Sequence, residues 1–209
     1  ACSASQGMGV LMDPNTGEIY ALATRPAYDP NNYDSFAAEQ RRNKAITDYF
    51  EPGSAFKIVT ASAAIEEGLI TQNTLVDCEN GGFNPYGHYV SDYHKLGVEP
   101  FSKCFEESSN VAIIKVARML GPERLEKWMR AFGFGETTSR DFQRGAESPG
   151  VLRSRKNWNG LSMGSLPMGQ EVGVTMLQLA RAFAVIANGG KLVEPYFVDR
   201  AIASDSTIT

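Results

Sequence analysis

Ser54 and Lys57 stand three residues apart in the run EPGSAFKIVTASAAI, at the start of a stretch that reads as a long apolar helix. Residues at i and i+3 of a helix share a face, so the Lys57 amine is within reach of the Ser54 hydroxyl. A serine hydroxyl is a weak nucleophile until a neighbouring base takes its proton. Lysine serves as that base once burial or a nearby cation lowers its pKa. The apolar IVTASAAI run supplies such a setting. Alone the pair is weak, since a Ser-x-x-Lys match arises by chance about once in a chain of this size. A bland helix start, with Ser54 as cap and Lys57 in solvent, fits the same residues.

A second element lies downstream at Ser108-Ser109-Asn110, directly before VAIIKVARML. Serine or asparagine at a helix start is ordinarily a cap. The chemical reading is compatible with that one: Ser108 would relay a proton near Lys57, and Asn110 would hold an amide of the substrate from a rigid turn. His88 and His94 are the only histidines, in a Tyr- and Gly-rich loop where local hydrogen bonding is their expected role. A histidine triad or a His-rich metal site is therefore not expected, and lysine is the more natural base for Ser54. Cys78 and Cys104 lie in neighbouring segments and are able to pair, leaving Cys2 over. Three cysteines without Cys-x-x-Cys or metal spacing define no framework.

These residues need elements to position them. Residues 8–23 read as two short strands around the turn Asp13-Pro14-Asn15-Thr16-Gly17. Tyr28 to Asp34 reads as an exposed loop, and the Ser54 helix as ending near Gly68. Residues 71–105 look irregular with short strands. A helix starts at Asn110 and stops at Gly121, with Pro122 at the first position of the next. In that next helix Leu125, Trp128, Met129 and Phe132 form a core-facing stripe. Residues 135–173 read as loop. Thr175 and Gln178 open a last helix with a capping box, Asn188-Gly189-Gly190 closes it, and KLVEPYFVDRAI follows as a short strand-like stretch. A hairpin followed by helices makes an α+β domain the natural class.

Bulk properties exclude other functions. A chain of 209 residues, 43% hydrophobic and 21% charged, can bury one substantial core. A net charge of −4 and no basic run argue against a nucleic-acid partner. No stretch approaches the roughly 18 apolar residues of a membrane span, and no signal peptide is seen.

Ser54-x-x-Lys57 followed by Ser108-x-Asn110 resembles the penicillin-binding proteins and the related serine β-lactamases. LMDPNTGEIYALATRPAYDPN, EPGSAFKI, ESSNVAIIKVA, FGFGE and MGQEVGVTMLQLARAFAVIANGGKLVEP extend the likeness over nearly the whole chain. They point to class B penicillin-binding proteins, the monofunctional transpeptidases of septal and elongation peptidoglycan synthesis, which serve division and cell shape. The resemblance implies the penicillin-binding protein/serine β-lactamase-like fold, with helices packed on an antiparallel sheet. It implies acylation of Ser54 by a D-alanyl-D-alanine stem, Lys57 as base, Ser108 as proton relay, Asn110 orienting substrate, and the Ser54 N–H as one oxyanion donor. The partners implied are peptidoglycan stem peptides, β-lactams that trap Ser54, and other cell-wall synthesis proteins. No cofactor and no metal are implied. The implied location is the cell envelope, at the periplasmic or extracytoplasmic face of the membrane, with any anchor outside this chain.

One departure bears on activity. The family's third element, a Lys-Thr/Ser-Gly strand, occurs nowhere in the sequence. The expectation is that residues 1–209 form a partial transpeptidase domain, with the hairpin 8–23 and a helical region 54–190. Part of the sheet would be missing, and a C-terminal segment would complete it. Two alternatives stay open: a serine β-lactamase or β-lactam sensor, and a non-catalytic scaffold of a cell-wall complex.

Overall fold

The structure, a computed structural model, describes residues 6–139, 141–142 and 145–200. Its strands are β1 (Gly7–Met12), β2 (Ile19–Arg25), β3 (Leu75–Asp77), β4 (Gly82–Phe83), β5 (Val90–Ser91) and β6 (Val98–Pro100). Its α-helices are α1 (Ala38–Arg41), α2 (Lys44–Thr47), α3 (Lys57–Glu66), α4 (Phe101–Glu106), α5 (Asn110–Leu120), α6 (Pro122–Ala131), α7 (Ser162–Ser165) and α8 (Met176–Ala187). The chain divides into two units. The first joins the chain up to Tyr49 with Phe132–Gly150 and the chain from Val174, and the second joins Phe50–Ala131 with Val151–Gly173.

In the first unit β1 and β2 pair antiparallel, from Gly7 opposite Arg25 to Leu11 opposite Ala21, with an irregularity between Leu11 and Met12. The Asp13 carboxylate makes the turn by accepting from the N–H groups of Asn15 (2.7 Å) and Thr16 (3.1 Å). Gly17 has φ +85°, and a Cβ there would lie 2.4 Å from the Glu194 carbonyl oxygen, so no other residue admits that segment so closely. Beyond it Tyr196 accepts from Ile19 N (2.8 Å) and donates to Gly17 O (3.0 Å). The strand-like stretch expected after Gly190 is therefore reduced to one bridge at Tyr196 as far as Arg200, and its last two residues lie outside the described ones. Helix α8 packs on β1, and Leu177 joins Ile19 and Ile46 in a core that Val10, Met12 and Leu22 flank. Its capping box forms as expected: Thr175 Oγ1 accepts from Gln178 N (3.1 Å), and Gln178 Oε1 accepts from Thr175 N (2.9 Å). The exposed Tyr28–Asp34 stretch contains a 3₁₀ helix, Pro30–Ser35, where a plain loop was expected. Asp29 caps it by accepting from Asn31 N (2.9 Å), a local preference of Asx residues that carries no periodicity.

In the second unit α3 packs against α5 and α6. Ala61, Ala64, Ile70, Val76, Val111, Ile114 and Val116 form its core with Phe101. Helix α3 ends as the sequence predicts: Gly68 takes φ +66°, and Leu69 N donates back to Ala64 O (2.9 Å). Gly121 (φ +80°) separates α5 from α6, which Pro122 opens. Leu125 and Met129 of the expected stripe are fully buried, and Phe132 just past the helix is buried too. Trp128 stands half-buried, its Nε1 donating to Glu67 Oε1 (3.0 Å). Helices α4 and α7, with the 3₁₀ turns Arg155–Asn157 and Leu166–Met168, fall where only loop was expected. Each is too short to show an apolar repeat. Cys78 and Cys104 meet in this core as free thiols with sulfurs 3.4 Å apart, and Cys2 lies outside the described residues.

Candidate active site

Ser54 occupies a short 3₁₀ turn, Gly53–Phe56, that runs into α3, rather than the α-helix itself. The Lys57 N–H donates to the Ser54 carbonyl and closes the turn. A 3₁₀ turn has three residues per turn, so side chains at i and i+3 eclipse more closely than on an α-helix. Gly53 opens it at φ +56°, and Phe56 anchors it in the core while Ser54 remains exposed. The MGQE segment lies directly against this turn. Gly53 N donates to Gly169 O (3.2 Å), and Glu51 Oε1 accepts from Glu171 N (2.9 Å). A Cβ at Gly169 would lie 2.2 Å from Gly53 O and 2.8 Å from Phe56 Cβ, so only glycine fits there.

Lys57 is 2% exposed. Its Nζ donates to Ser108 O (2.5 Å), Ser108 Oγ (3.0 Å) and Asn110 Oδ1 (2.8 Å). The structure thus brings together three of the four residues singled out from sequence, and the fourth begins the turn that ends in Lys57. Among the described residues no hydrogen bond links Ser54 Oγ to Lys57 Nζ. Burial pushes the Lys57 amine down to about 8, against the opposing pull of the Asp92 carboxylate. A lysine near 8 exchanges its proton close to neutral pH, which an ordinary surface lysine does not.

The Ser108–Asn110 segment divides its labour. Ser109, the buried middle residue, is the cap of α5, its Oγ accepting from Ala112 N (3.0 Å). That frees Ser108, held at φ +56°, to turn both carbonyl and hydroxyl towards Lys57. Asn110 donates through Nδ2 to Ser91 O (2.8 Å), so both ends of its amide have partners within the protein. Asp92 accepts from Ser109 Oγ (2.6 Å), Asn110 N (2.5 Å) and Val111 N (3.1 Å). Sequence reading passed over Asp92, an isolated acid in an irregular stretch whose only signal is a carboxylate upstream of a polar helix start.

Ser54, Asn110, Ser91, Val90, His88 and Met168 line an open groove of about 320 Å³. A more enclosed cavity of about 130 Å³, walled by Tyr86, Leu161, Gly164 and Met168, adjoins it through His88 and Gln170. His88 thus borders the same groove as Ser54, a place the sequence did not indicate. His94 makes a 3.8 Å contact with Glu107 instead. A buried amine, a hydroxyl and an amide beside an exposed serine are the parts of a nucleophilic acyl-transfer site.

Residues 7–208 match the model of the penicillin-binding protein transpeptidase domain. The chain is 36% identical to the penicillin-binding protein PbpB of Mycolicibacterium smegmatis, over all of this chain (100%) and 32% of that protein. It is 32% identical to the peptidoglycan D,D-transpeptidase FtsI of Escherichia coli K12, over 90% of this chain and 31% of FtsI. A crystal structure of penicillin-binding protein 3 from Mycobacterium tuberculosis in complex with aztreonam superposes with a TM-score of 0.88 at 33% identity, covering 99% of this chain and 46% of that one. The chain spans about a third of the length of the curated relatives it matches. By match to the family model and by identity over most of its length, the chain belongs to the penicillin-binding protein transpeptidase family, in its class B branch.

Proposed function

We propose that this chain carries the acylating half of a peptidoglycan D,D-transpeptidase that β-lactams inhibit. The observation that carries the reading is the buried Lys57 amine. It is bonded to Ser108 Oγ and Asn110 Oδ1 and stands one 3₁₀ turn from an exposed serine. In the first step neutral Lys57 takes the Ser54 proton while Oγ bonds to the penultimate D-alanyl carbonyl carbon. The tetrahedral intermediate collapses as the carbon–nitrogen bond to the last D-alanine breaks. Ser108 passes a proton from Lys57 to that departing amine, leaving Ser54 as an ester. The amine of a second stem peptide then attacks the ester, the new peptide bond forms, and Ser54 recovers its proton. The Ser54 N–H stabilises the oxyanion, a donor worth about 3–4 kcal/mol in a model protease. Asn110 fixes Lys57 and borders the groove, where its amide meets the stem peptide.

The setting for this reaction is the outer face of the cytoplasmic membrane, where stem peptides are found. Among the described residues no helix is long and apolar enough to cross a membrane. FtsI of Escherichia coli is named a peptidoglycan D,D-transpeptidase, and that name supports the same chemistry here. Fluorescent penicillin labelling of the full-length protein, resolved on a denaturing gel, tests the reading. The expected result is a stable label on wild type and none on Ser54→Ala. Equal labelling of both would remove Ser54 as nucleophile. A label lost rapidly by hydrolysis would make the protein a β-lactamase, and no label at all would leave a non-catalytic scaffold.

A further inference from the structure

We propose that Asp92 is a positioning residue of this acylation site, clamping the Ser108–Asn110 turn in the shape that presents both side chains to Lys57; the proposal rests on the function proposed above. One half-buried carboxylate takes three donors from three consecutive residues: the Ser109 hydroxyl (2.6 Å) and the N–H groups of Asn110 (2.5 Å) and Val111 (3.1 Å). The neighbouring residue adds a fourth hold, since Ser91 O accepts from Asn110 Nδ2 (2.8 Å). Residues 91–92 therefore grip Asn110 by both its backbone and its side chain. Asp92 is itself tethered, its N–H donating to Gly81 O (2.9 Å) beside the β4–β5 pair.

The first turn of α5 is largely buried, so the Asn110 and Val111 N–H groups need an acceptor within the protein, and Asp92 is that acceptor while Ser109 satisfies Ala112 N. The same bonds bear on Ser108, which is held in a left-handed conformation that a serine leaves when it is free to do so. In that conformation its carbonyl and hydroxyl both face Lys57 Nζ. Fixing the next two residues removes the rotation by which Ser108 would relax. The carboxylate is also the charge that acts on Lys57 from across the turn. Other ionisable side chains of the second unit are paired with one another. Lys103 pairs with Glu106 and Glu107, His94 with Glu107, Lys115 of α5 with Glu79, and Arg124 of α6 with Glu67. His88 and Tyr89 are titratable groups that border the groove.

The test compares the full-length wild type with Ser54→Ala, Asp92→Asn and Asp92→Ala. The second-order rate of acylation by fluorescent penicillin is followed from about pH 6 to about pH 10, with thermal unfolding measured in parallel. Asp92→Ala loses all three bonds, and its plateau rate is expected to fall about 10- to 100-fold, as a displaced catalytic group does. Asp92→Asn keeps an oxygen for the two backbone donors and loses the charge together with the acceptor for the Ser109 hydroxyl. Its rate is expected to rise with a midpoint about half a pH unit or more below that of wild type. A merely structural role would lower the amount of folded protein without moving that midpoint. Asp92→Asn is the deciding variant if Asp92→Ala does not fold. Wild-type rates and midpoint in the folded Asp92 variants, with Ser54 still labelled, would overturn this proposal alone. No acylation of wild type, or undiminished labelling of Ser54→Ala, would overturn the functional reading and this proposal with it.

Discussion

Helices α5 and α8 begin alike and are used differently. Each has a buried Ser or Thr cap whose hydroxyl accepts from the N–H three residues on: Ser109 for Ala112, Thr175 for Gln178. At α8 the arrangement uses uncharged partners alone. Gln178 completes the box, and its Nε2 donates to the backbone carbonyls of Glu136 (2.8 Å) and Pro149 (2.9 Å). At α5 the start recruits ionisable groups, taking a carboxylate from just past β5 and a buried amine from α3. It also keeps Ser108 in a backbone region that serine avoids. The difference separates a cap that finishes a helix from one that holds reactive groups in place. A left-handed serine and a buried amine meet at the α5 start, the features that accompany the function proposed for it.

The comparison is broken most easily at Lys57. Lys57→Met removes the proposed general base, and acylation is expected to fall by about 10²–10⁴-fold, the usual worth of such a group. The fold should change little. Bringing the amine from 10.5 to about 8 reflects a burial cost of about 3 kcal/mol for the charged form. Removing it offsets the roughly 1–3 kcal/mol of leaving its acceptors unpaired. The wild-type pH profile follows from the same shift. The pKa is lowered, so the amine is mostly protonated below 8 and acylation rises with pH through about 8, gaining about tenfold from pH 7 to its plateau. For the same reason the penalty on stability is full below about 8 and disappears as pH rises towards 10.5. Stopped-flow acylation and thermal scans measure both. An acylation rate in Lys57→Met close to wild type would mean that the α5 start is as structural as the α8 start.

The opposite change belongs to α8. Gln178→Leu leaves the Glu136 and Pro149 carbonyls unpaired beside a buried apolar group and removes half of the capping box. A cost of about 2–4 kcal/mol in a denaturant titration is expected. Acylation per folded molecule should stay within about a factor of two, as for a change remote from the chemistry. A large loss of rate in the folded fraction would erase the distinction between the two starts.

The same contrast explains what could be read beforehand. Hairpin, α3, α5, α6 and α8 were legible because their apolar repeats and stop signals are local: Gly68, Gly121 and the Thr175–Gln178 box each decide their own element. Lys57, Ser108 and Asn110 could be singled out because their side-chain types and order resemble a known chemistry, and the structure hydrogen-bonds the three together. What escaped is set by contacts distant in sequence. That Ser109 and not Ser108 is the cap depends on which hydroxyl faces the core. Asp92 is legible only once β5 is paired with β4 and its carboxylate delivered to α5. Helix α4 depends on Phe101 and Cys104 finding a core that other segments supply. The close fit of Gly169 to Gly53 is likewise visible only when both turns are in place.

The finest test deletes the two caps themselves. Ser109→Ala and Thr175→Ala remove the same kind of bond, and each should cost about 1 kcal/mol in thermal or denaturant unfolding. If the two starts differed only in sequence, their consequences would end there. At α8 they do, because Gln178 keeps its bonds to Glu136 and Pro149. At α5 the lost hydroxyl was also one of the three donors on Asp92. The carboxylate keeps Asn110 N and Val111 N, so the turn is loosened rather than released. A fall of about two- to fivefold in acylation is expected for Ser109→Ala, small beside the loss of a positioning group and confined to this cap. Equal acylation in the two cap variants would show that the backbone donors alone hold Ser108 and Asn110 against Lys57. A loss as large as that of Asp92→Ala would shift the clamp from the carboxylate to the Ser109 hydroxyl, making the cap rather than its distant partner the residue that the chemistry depends on.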